Sequence, residues 1–214
     1  MSEYKKTKRT TIKRGHKRGT YDRETVHAIL DEAYLCHVGT IINGAAQVQP
    51  TCQWRDGETL YIHGSVRNGL FQALIAGEEA SITVSLLDGF VLARSAMHHS
   101  VNYRSVMIFG KARVVDDYAE KMKALEQLIE KIEPGRWAEC REPNDTEMKV
   151  TTVLAFELEE VSAKVRTGGP IDDEADYALD HWAGVVPLTQ VKGAPIDDPL
   201  LRPGIPCPIG SESN

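Results

Sequence analysis

Two tight turns confine the first third of the chain to an antiparallel meander. The runs LCHVGTI, AAQVQPTCQW and ETLYIHGS alternate with a period of two, and Asn43-Gly44 and the RDG turn ending at Gly57 separate them. An Asn-Gly pair between two such runs is the strongest short-range hairpin signal, because both of its residues tolerate φ > 0. Three strands joined by short turns do not fit a regular βαβ alternation.

Later segments extend the sheet and add helices. EASITVSLL, VNYRSVMIFGKARVVDD and VTTVLAFELEEVSAKVR indicate further strands, the last as a pair or one bent strand, while DGFVLARSAMHHS looks irregular. Three helices are predicted: one capped by Thr20 or Asp22, one in NGLFQALIAG, and one from Asp116. The last carries an apolar stripe of Tyr118, Met122, Leu125, Ile129 and Ile132. Gly110 predicts a bulge or sharp bend. The sum is a mainly β fold, a small antiparallel barrel of six to seven strands with accessory helices.

Length and charge suggest one domain with extensions. The predicted boundaries are a basic arm over 1–19, a domain over 20–166 and a Pro/Gly-rich extension over 167–214. Residues 1–23 hold nine Lys/Arg against two acids in a chain of net charge −6. The acidic body would repel a polyanion, so no nucleic-acid partner is expected, and the arm is interpreted as a solvated tail that packs on a second subunit. No apolar run suits a membrane span, so we expect a cytoplasmic protein.

Several common chemistries have no motif here. The four cysteines (Cys36, Cys52, Cys140, Cys207) lie far apart without a CxxC pair, and we expect them to be reduced and buried. His98 and His99 are adjacent on an extended segment and would point to opposite faces, which argues against a metal site. Arg104 and Ser105 are also neighbours on an extended segment, so only one of the two side chains can face a given pocket. GxSxG, GxGxxG and GxxxxGK[ST] are absent.

The stretch LYIHGSVRNGLFQAL, from Leu60 to Leu74, is the main candidate for ligand binding. Alternation predicts that Leu60 and Ile62 face a core while Tyr61 and His63 face outward. A strand that ends in small residues before a helix N-terminus presents free N–H groups to a phosphate. The residues that would contact it are Gly64, Ser65 and Arg67. Ser and Asn before a helix are also ordinary caps, so both interpretations stay open on local chemistry.

The order of these segments resembles the pyridoxamine 5′-phosphate oxidase-like flavoproteins, which share an FMN-binding split β-barrel. The resemblance rests on the meander with LYIHGS, the short helix, HHSVNYRSVMIFGKARVVDD and the helix that follows. It covers roughly residues 20–165 and is most specific in YRSVMIFGKARVV. The most similar branch contains the Nim nitroimidazole-resistance proteins. HWAGVVPL and DPLLRPG resemble C-terminal segments of one bacterial group in that branch.

The resemblance implies a homodimer with FMN, or FAD, in a cleft between subunits. His63 would be the active-site residue, and Trp182 would cover the flavin from either subunit. The remaining cofactor-binding residues it implies are Gln49, Pro50, Thr51 and Cys52 along the ring, His63, Gly64 and Ser65 at its border, Arg67 and Asn68 near the phosphate, and Arg104 and Ser105 on the neighbouring strand.

The function implied is a flavin-dependent oxidoreductase. It would pass electrons from a reduced nicotinamide to a small acceptor, with nitroaromatics among the candidates. The RxxLLK-type phosphate signature is missing around Gln47 to Cys52, which argues against vitamin B6 oxidation. The alternatives are a flavin-binding or storage protein without turnover, and a barrel that holds deazaflavin or haem, the latter through His63, His98 or His99.

Overall fold

The structure is a computed structural model and describes residues 2–209. In this part of the chain, ten strands join edge to edge in one sheet. In chain order they are β1 (Gly19–Thr20), β2 (Leu35–Ile42), β3 (Ala45–Asp56), β4 (Thr59–Ser65), β5 (Glu79–Leu92), β6 (Ser100–Lys111), β7 (Arg113–Val114), β8 (Thr151–Glu157), β9 (Glu160–Arg166) and β10 (Gly184–Pro187). The sheet order is β1-β9-β6-β5-β2-β3-β4-β8-β7, with β10 also on β5, and all pairs are antiparallel. The predicted antiparallel, mainly β fold is confirmed: seven strands are long, and β1, β7 and β10 are short additions.

Four α-helices accompany the sheet: α1 (Arg23–Glu32), α2 (Gly69–Ile75), α3 (Tyr118–Ile132) and α4 (Asp145–Val150). Asp22 is the N-cap of α1 and accepts a hydrogen bond from the Thr25 amide at 2.9 Å, so the cap is Asp22 rather than Thr20. The short α4 was not predicted. Asn144 and Glu147 form a reciprocal capping box at its start.

The sheet changes direction within β3. Residues up to Cys52 pair with β2, whereas Gln53 to Asp56 pair with β4. The buried Gln53 side chain donates to the Leu30 carbonyl at 2.8 Å and also to the Ala33 carbonyl, which ties the turning point to the end of α1. One strand therefore belongs to both halves of the barrel.

Two apolar clusters fill the two sides of this sheet. The larger lies inside the barrel and includes Leu60, Ile62 and Phe71. The smaller lies between the sheet and α3 and includes Trp54, Tyr61 and Leu128. The prediction that Tyr61 faces outward is therefore wrong, because α3 covers that side of β4. The helix packs through Ala124 and Leu128 rather than through the whole predicted stripe, and leaves Tyr118 and Ile132 exposed.

Three further local expectations need correction. The β5–β6 register is continuous through Gly110, and the irregularity lies between Leu87 and Gly89. The chain bends only after Lys111, where the next strand joins the other half of the barrel. The expected irregular stretch after Leu87 instead prolongs β5 to Leu92, because β10 pairs with its far end. Of the four free cysteines only Cys36 is fully buried.

The terminal segments pack on the barrel of their own chain. Tyr4 is buried and its hydroxyl donates to Glu58 at 2.8 Å, and Thr10, also buried, accepts a hydrogen bond from the Tyr21 hydroxyl at its carbonyl. The solvated-tail interpretation is therefore wrong for these two residues. Asp172 of the extension is buried and accepts hydrogen bonds from the Arg94 and Ser95 amides. The last five residues of the extension lie outside the described part of the chain.

Candidate functional site

A cleft opens where β3 and β4 stop pairing with each other. The β3 residues up to Thr51 pair only with β2, while His63 to Ser65 of β4 pair only with β8. Two side-chain hydrogen bonds span the gap. Thr51 Oγ1 donates to the His63 carbonyl at 3.5 Å, and Asn68 Nδ2 donates to Gln49 Oε1 at 3.2 Å. The structure thus brings together Gln49, Thr51, Asn68 and the backbone of His63, all predicted from sequence, whereas the His63 imidazole lines a cavity that the other three residues do not line.

The turn after β4 caps the N-terminus of α2. Asn68 Oδ1 accepts hydrogen bonds from the Leu70 amide at 2.9 Å and the Phe71 amide at 3.4 Å, and Ser65 Oγ accepts one from the Arg67 amide at 3.2 Å. The capping interpretation is confirmed, and the first amides of α2 are occupied by the chain's own side chains. Arg67 is exposed and makes no ion pair within residues 2–209. The Arg67 guanidinium is the cationic group that this turn offers to a ligand.

Gly64 is explained by packing. A Cβ at this position would lie 2.9 Å from Phe71 Cζ, closer than real contacts allow. Phe71 is fully buried in the larger core, so its ring cannot shift cheaply. The glycine predicted to let a phosphate approach the backbone is therefore required by Phe71.

His63 lies at the mouth of an apolar cavity of about 300 Å³ between the sheet, α3 and the segment that leads into α4. Its neighbours there include Leu128, Trp137 and Met148, and the Trp54 ring centroid is 5.8 Å from its own. The buried Nδ1 atom has no hydrogen-bond partner among the described residues. Burial lowers the pKa of His63 below its ordinary 6.5, so the ring is neutral at pH 7. A neutral imidazole offers a lone pair to a metal or a proton acceptor to a substrate.

The other predicted residues occupy different surroundings. Pro50 is exposed opposite His37, and Cys52 is half-buried against the smaller core. Ser105 Oγ donates to the Lys164 carbonyl at 3.3 Å on the far side of the sheet. Trp182 is 68 % exposed and stands over Gly184, just before β10. In the described chain, no hydrogen bond links Ser105 or Trp182 to the Gln49–Asn68 cluster.

Two carboxylate groups of the same chain neutralise the charge of Arg104. Its guanidinium pairs with Asp88 at 2.7 Å and with Glu32, and these two carboxylates raise its pKa. Both partners lie at the end of the barrel next to α1, on another wall from the cleft. The structure therefore does not bring Arg104 to the other predicted site residues.

Replacing Arg104 with glutamine tests this placement. We expect the free energy of unfolding to fall by about 1 kcal/mol, since the pairs are partly exposed and screened by water. Flavin affinity should not change. Chemical denaturation and flavin titration measure the two quantities, with Arg113→Gln as a control that breaks a comparable exposed pair with Glu120. A tenfold loss of flavin affinity in Arg104→Gln alone would contradict the placement.

Sequence reasoning missed the residues that form the cavity beside His63. Trp137 belongs to a short 3₁₀ turn and Met148 to the unpredicted α4. Neither lies in a segment of clear periodicity. Only the apolar residues in an otherwise polar stretch, from Arg136 to Lys149, could have signalled a buried role.

The fold and cleft define a split-barrel protein, and comparison with known proteins identifies its family. The model of the family described as pyridoxamine 5′-phosphate oxidase matches residues 22–165. The chain belongs to this family. The resemblance stated from the sequence is thereby confirmed.

Two solved structures are similar over nearly the whole chain. The flavocytochrome Anf3 from Azotobacter vinelandii is 44 % identical with a TM-score of 0.90, covering 95 % of this chain and 94 % of that one. The FAD and heme binding protein from Mycobacterium smegmatis is 36 % identical with a TM-score of 0.86, covering 90 % and 94 %. A protein from Bacteroides thetaiotaomicron assigned to 5-nitroimidazole antibiotic resistance is 24 % identical with a TM-score of 0.59, covering 69 % and 86 %, and shares the fold.

Two further findings are negative. Among curated proteins, none matches the chain. Within residues 2–209, none of the helices has the length and apolar character that crossing a membrane requires.

Proposed function

We propose that the protein is a flavin-dependent oxidoreductase that binds FMN or FAD where β3 and β4 diverge. The observation that carries the proposal is the cleft itself, whose two walls present the side chains of Gln49, Thr51 and Asn68 and the carbonyl group of His63. A flavin needs a slot for its ring and a few fixed donors for its edge. Membership of the family and the similarity to an FAD-binding protein support the same cofactor class.

The site is proposed to be completed by a second copy of the chain. Ser105 and Trp182 do not reach the cleft within one chain, although the resemblance implies that they border the flavin. The outer face of β2 and β3, opposite to the face that carries Gln49 and Thr51, exposes Leu35, Ile41 and Val48, and the last is 67 % exposed. Such a contiguous apolar sheet face is typical of a protein interface.

Val48→Asp is expected to convert the dimer to monomers, because two carboxylates would be buried at the seam without partners. Flavin affinity should fall at least tenfold with it. Light scattering after gel filtration and flavin titration measure both changes. Val191→Asp, at a valine of the extension that is also largely exposed, is the control. A Val48→Asp protein that stays dimeric would refute this seam.

Haem is a second proposed ligand, and a specific observation favours it. His63 is neutral and half-buried, and its imidazole lines an apolar cavity. Imidazole in apolar surroundings is a common axial ligand of haem iron. Two solved structures that cover 95 % and 90 % of the chain are a flavocytochrome and a protein that binds FAD and heme.

The absorption spectrum of the protein as purified tests both ligands. We expect a flavin band, a Soret band, or both, with the released molecules identified by mass spectrometry. A colourless protein that takes up neither FMN, FAD nor haemin at micromolar concentration would overturn the proposal.

Electron transfer is proposed to run from a reduced nicotinamide to a small acceptor, nitroaromatics included. Anaerobic mixing with NADH or NADPH separates an enzyme from a storage protein, since only the enzyme should bleach its flavin rapidly. Reoxidation by a nitroaromatic then tests the acceptor. The cytoplasm is the proposed compartment.

A further inference from the structure

The N-terminal arm and the edge of the sheet form a pocket lined mainly by cations. Gly15, with φ of 68°, turns the chain into a 3₁₀ turn over His16–Arg18, and β1 then pairs with β9. Lys164 Nζ donates to the Arg14 carbonyl at 3.4 Å and holds the turn against the sheet. The resulting cavity of about 480 Å³, here named the basic arm pocket, is lined by Arg14, Gly15, His16, Lys17, Arg18 and Lys164.

These cations have no anionic partner in the described chain. Eight arginines of residues 2–209 form ion pairs with carboxylates, but Arg14 and Arg18 do not. No acidic residue lines the pocket. Arg14, Lys17 and Arg18 are exposed, so water and salt reduce their mutual repulsion without removing it. The arrangement is stabilised once an anion enters.

A buried arginine stands next to the pocket. Arg166 is 7 % exposed and bonds to neutral groups only, the Asn102 side chain at 2.5 Å and the Gly169 carbonyl at 3.5 Å. Its Nε atom is buried without a partner in the described chain. Burial and then the positive charge of Arg18 lower the pKa of Arg166. Buried charges are normally paired, and Arg166 forms no ion pair with a carboxylate among the described residues.

We propose that the basic arm pocket binds the diphosphate group of a nucleotide. Guanidinium groups match phosphate oxygens in a bidentate geometry, and a lysine adds a point charge. The acidic body disfavours an extended polyanion, which leaves a compact one. No residue of β3, β4 or α2 lines the pocket, and in sheet order β9, which carries Lys164, lies four strands from β3. It is thus separate from the Gln49–Asn68 cluster of the same chain.

Calorimetric titration of the full-length protein with ADP tests the site. We expect ADP to bind, inorganic pyrophosphate to compete, adenosine not to bind, and the affinity to fall with salt. Arg14→Ala/Arg18→Ala should weaken ADP binding roughly tenfold or more, since charged hydrogen bonds are lost. Lys5→Ala/Lys8→Ala removes the same charge from exposed positions of the same arm and should leave the affinity unchanged. Thermal melts establish that all variants fold.

Comparing flavin-free with flavin-saturated protein distinguishes two sources of the diphosphate. If FAD abolishes ADP binding, the pocket holds the diphosphate of the flavin. If ADP binds equally in both forms, it serves a separate nucleotide. Wild-type protein that does not bind ADP, equal ADP affinity in both double variants, or binding of a single-stranded oligonucleotide but not of ADP would each overturn the inference. None of these readouts requires flavin turnover.

Discussion

Trp54→Ala is expected to lower the free energy of unfolding by about 3–5 kcal/mol, the range for truncating a large buried aromatic residue. Trp54 is 1 % exposed and stacks on Tyr61 with ring centroids 5.8 Å apart and planes 16° from parallel. Both rings belong to the small core between the sheet and α3. Because this cluster contains few residues, few neighbouring side chains can move into the cavity that the substitution leaves. Urea unfolding followed by circular dichroism measures the loss.

Trp182→Ala provides the matched control. The same truncation at a side chain that is 68 % exposed should change the free energy of unfolding by less than about 0.5 kcal/mol. Equal losses in the two variants would contradict the division of the apolar residues into core and surface. Trp54→Phe, which keeps the stacking with Tyr61, should recover much of the loss.

The strands were predictable because their signals are local. Period-two alternation and the Asn43-Gly44 turn specify β2, β3 and β4 without knowledge of distant residues, and Asn43 indeed adopts a positive φ of 52°. The change of partner within β3 was not predictable. It depends on Gln53, whose amide reaches carbonyl groups at the end of α1, some twenty residues earlier. A contact of that kind leaves no periodic trace in the sequence.

The candidate site divides in the same way. Its β3–β4 part follows from the strand–turn–helix pattern, and the Gln49–Asn68 hydrogen bond confirms that these predicted residues meet. The cavity beside His63 depends on Trp137 and Met148, which are distant in sequence and reach His63 only through the packing of the folded chain. Arg104 illustrates the limit: its neighbours in the sequence say nothing of Glu32 and Asp88, the two carboxylates that pair with it in the folded chain.

His63→Leu is the sharpest test of function at a single position. We expect loss of the Soret band if His63 is the axial ligand, together with an apoprotein about 1 kcal/mol more stable than the wild-type apoprotein. The gain follows because leucine has a similar volume and removes a buried nitrogen that has no partner in the described chain. A residue that costs stability and is required for the cofactor has the signature of a functional group.

The stability difference should depend on pH in a defined direction. Burial lowers the pKa of His63 in the folded state, so below the ordinary value of 6.5 the unfolded chain binds the proton more readily. The wild-type apoprotein should therefore keep its full stability above pH 6.5 and lose this contribution as the pH falls toward the folded-state pKa. Because leucine does not titrate, the advantage of His63→Leu should widen over the same interval.

His98→Leu separates this assignment from the neighbouring histidines. His98 sits 3.7 Å from the buried Asp172 carboxylate, outside the apolar cavity, and its replacement should leave the absorption spectrum unchanged. A Soret band that survives His63→Leu but disappears in His98→Leu would move the haem to the junction with the C-terminal extension. A His63→Leu apoprotein that melts below the wild type with its spectrum intact would make the histidine a structural residue, because packing would then be all that it contributes.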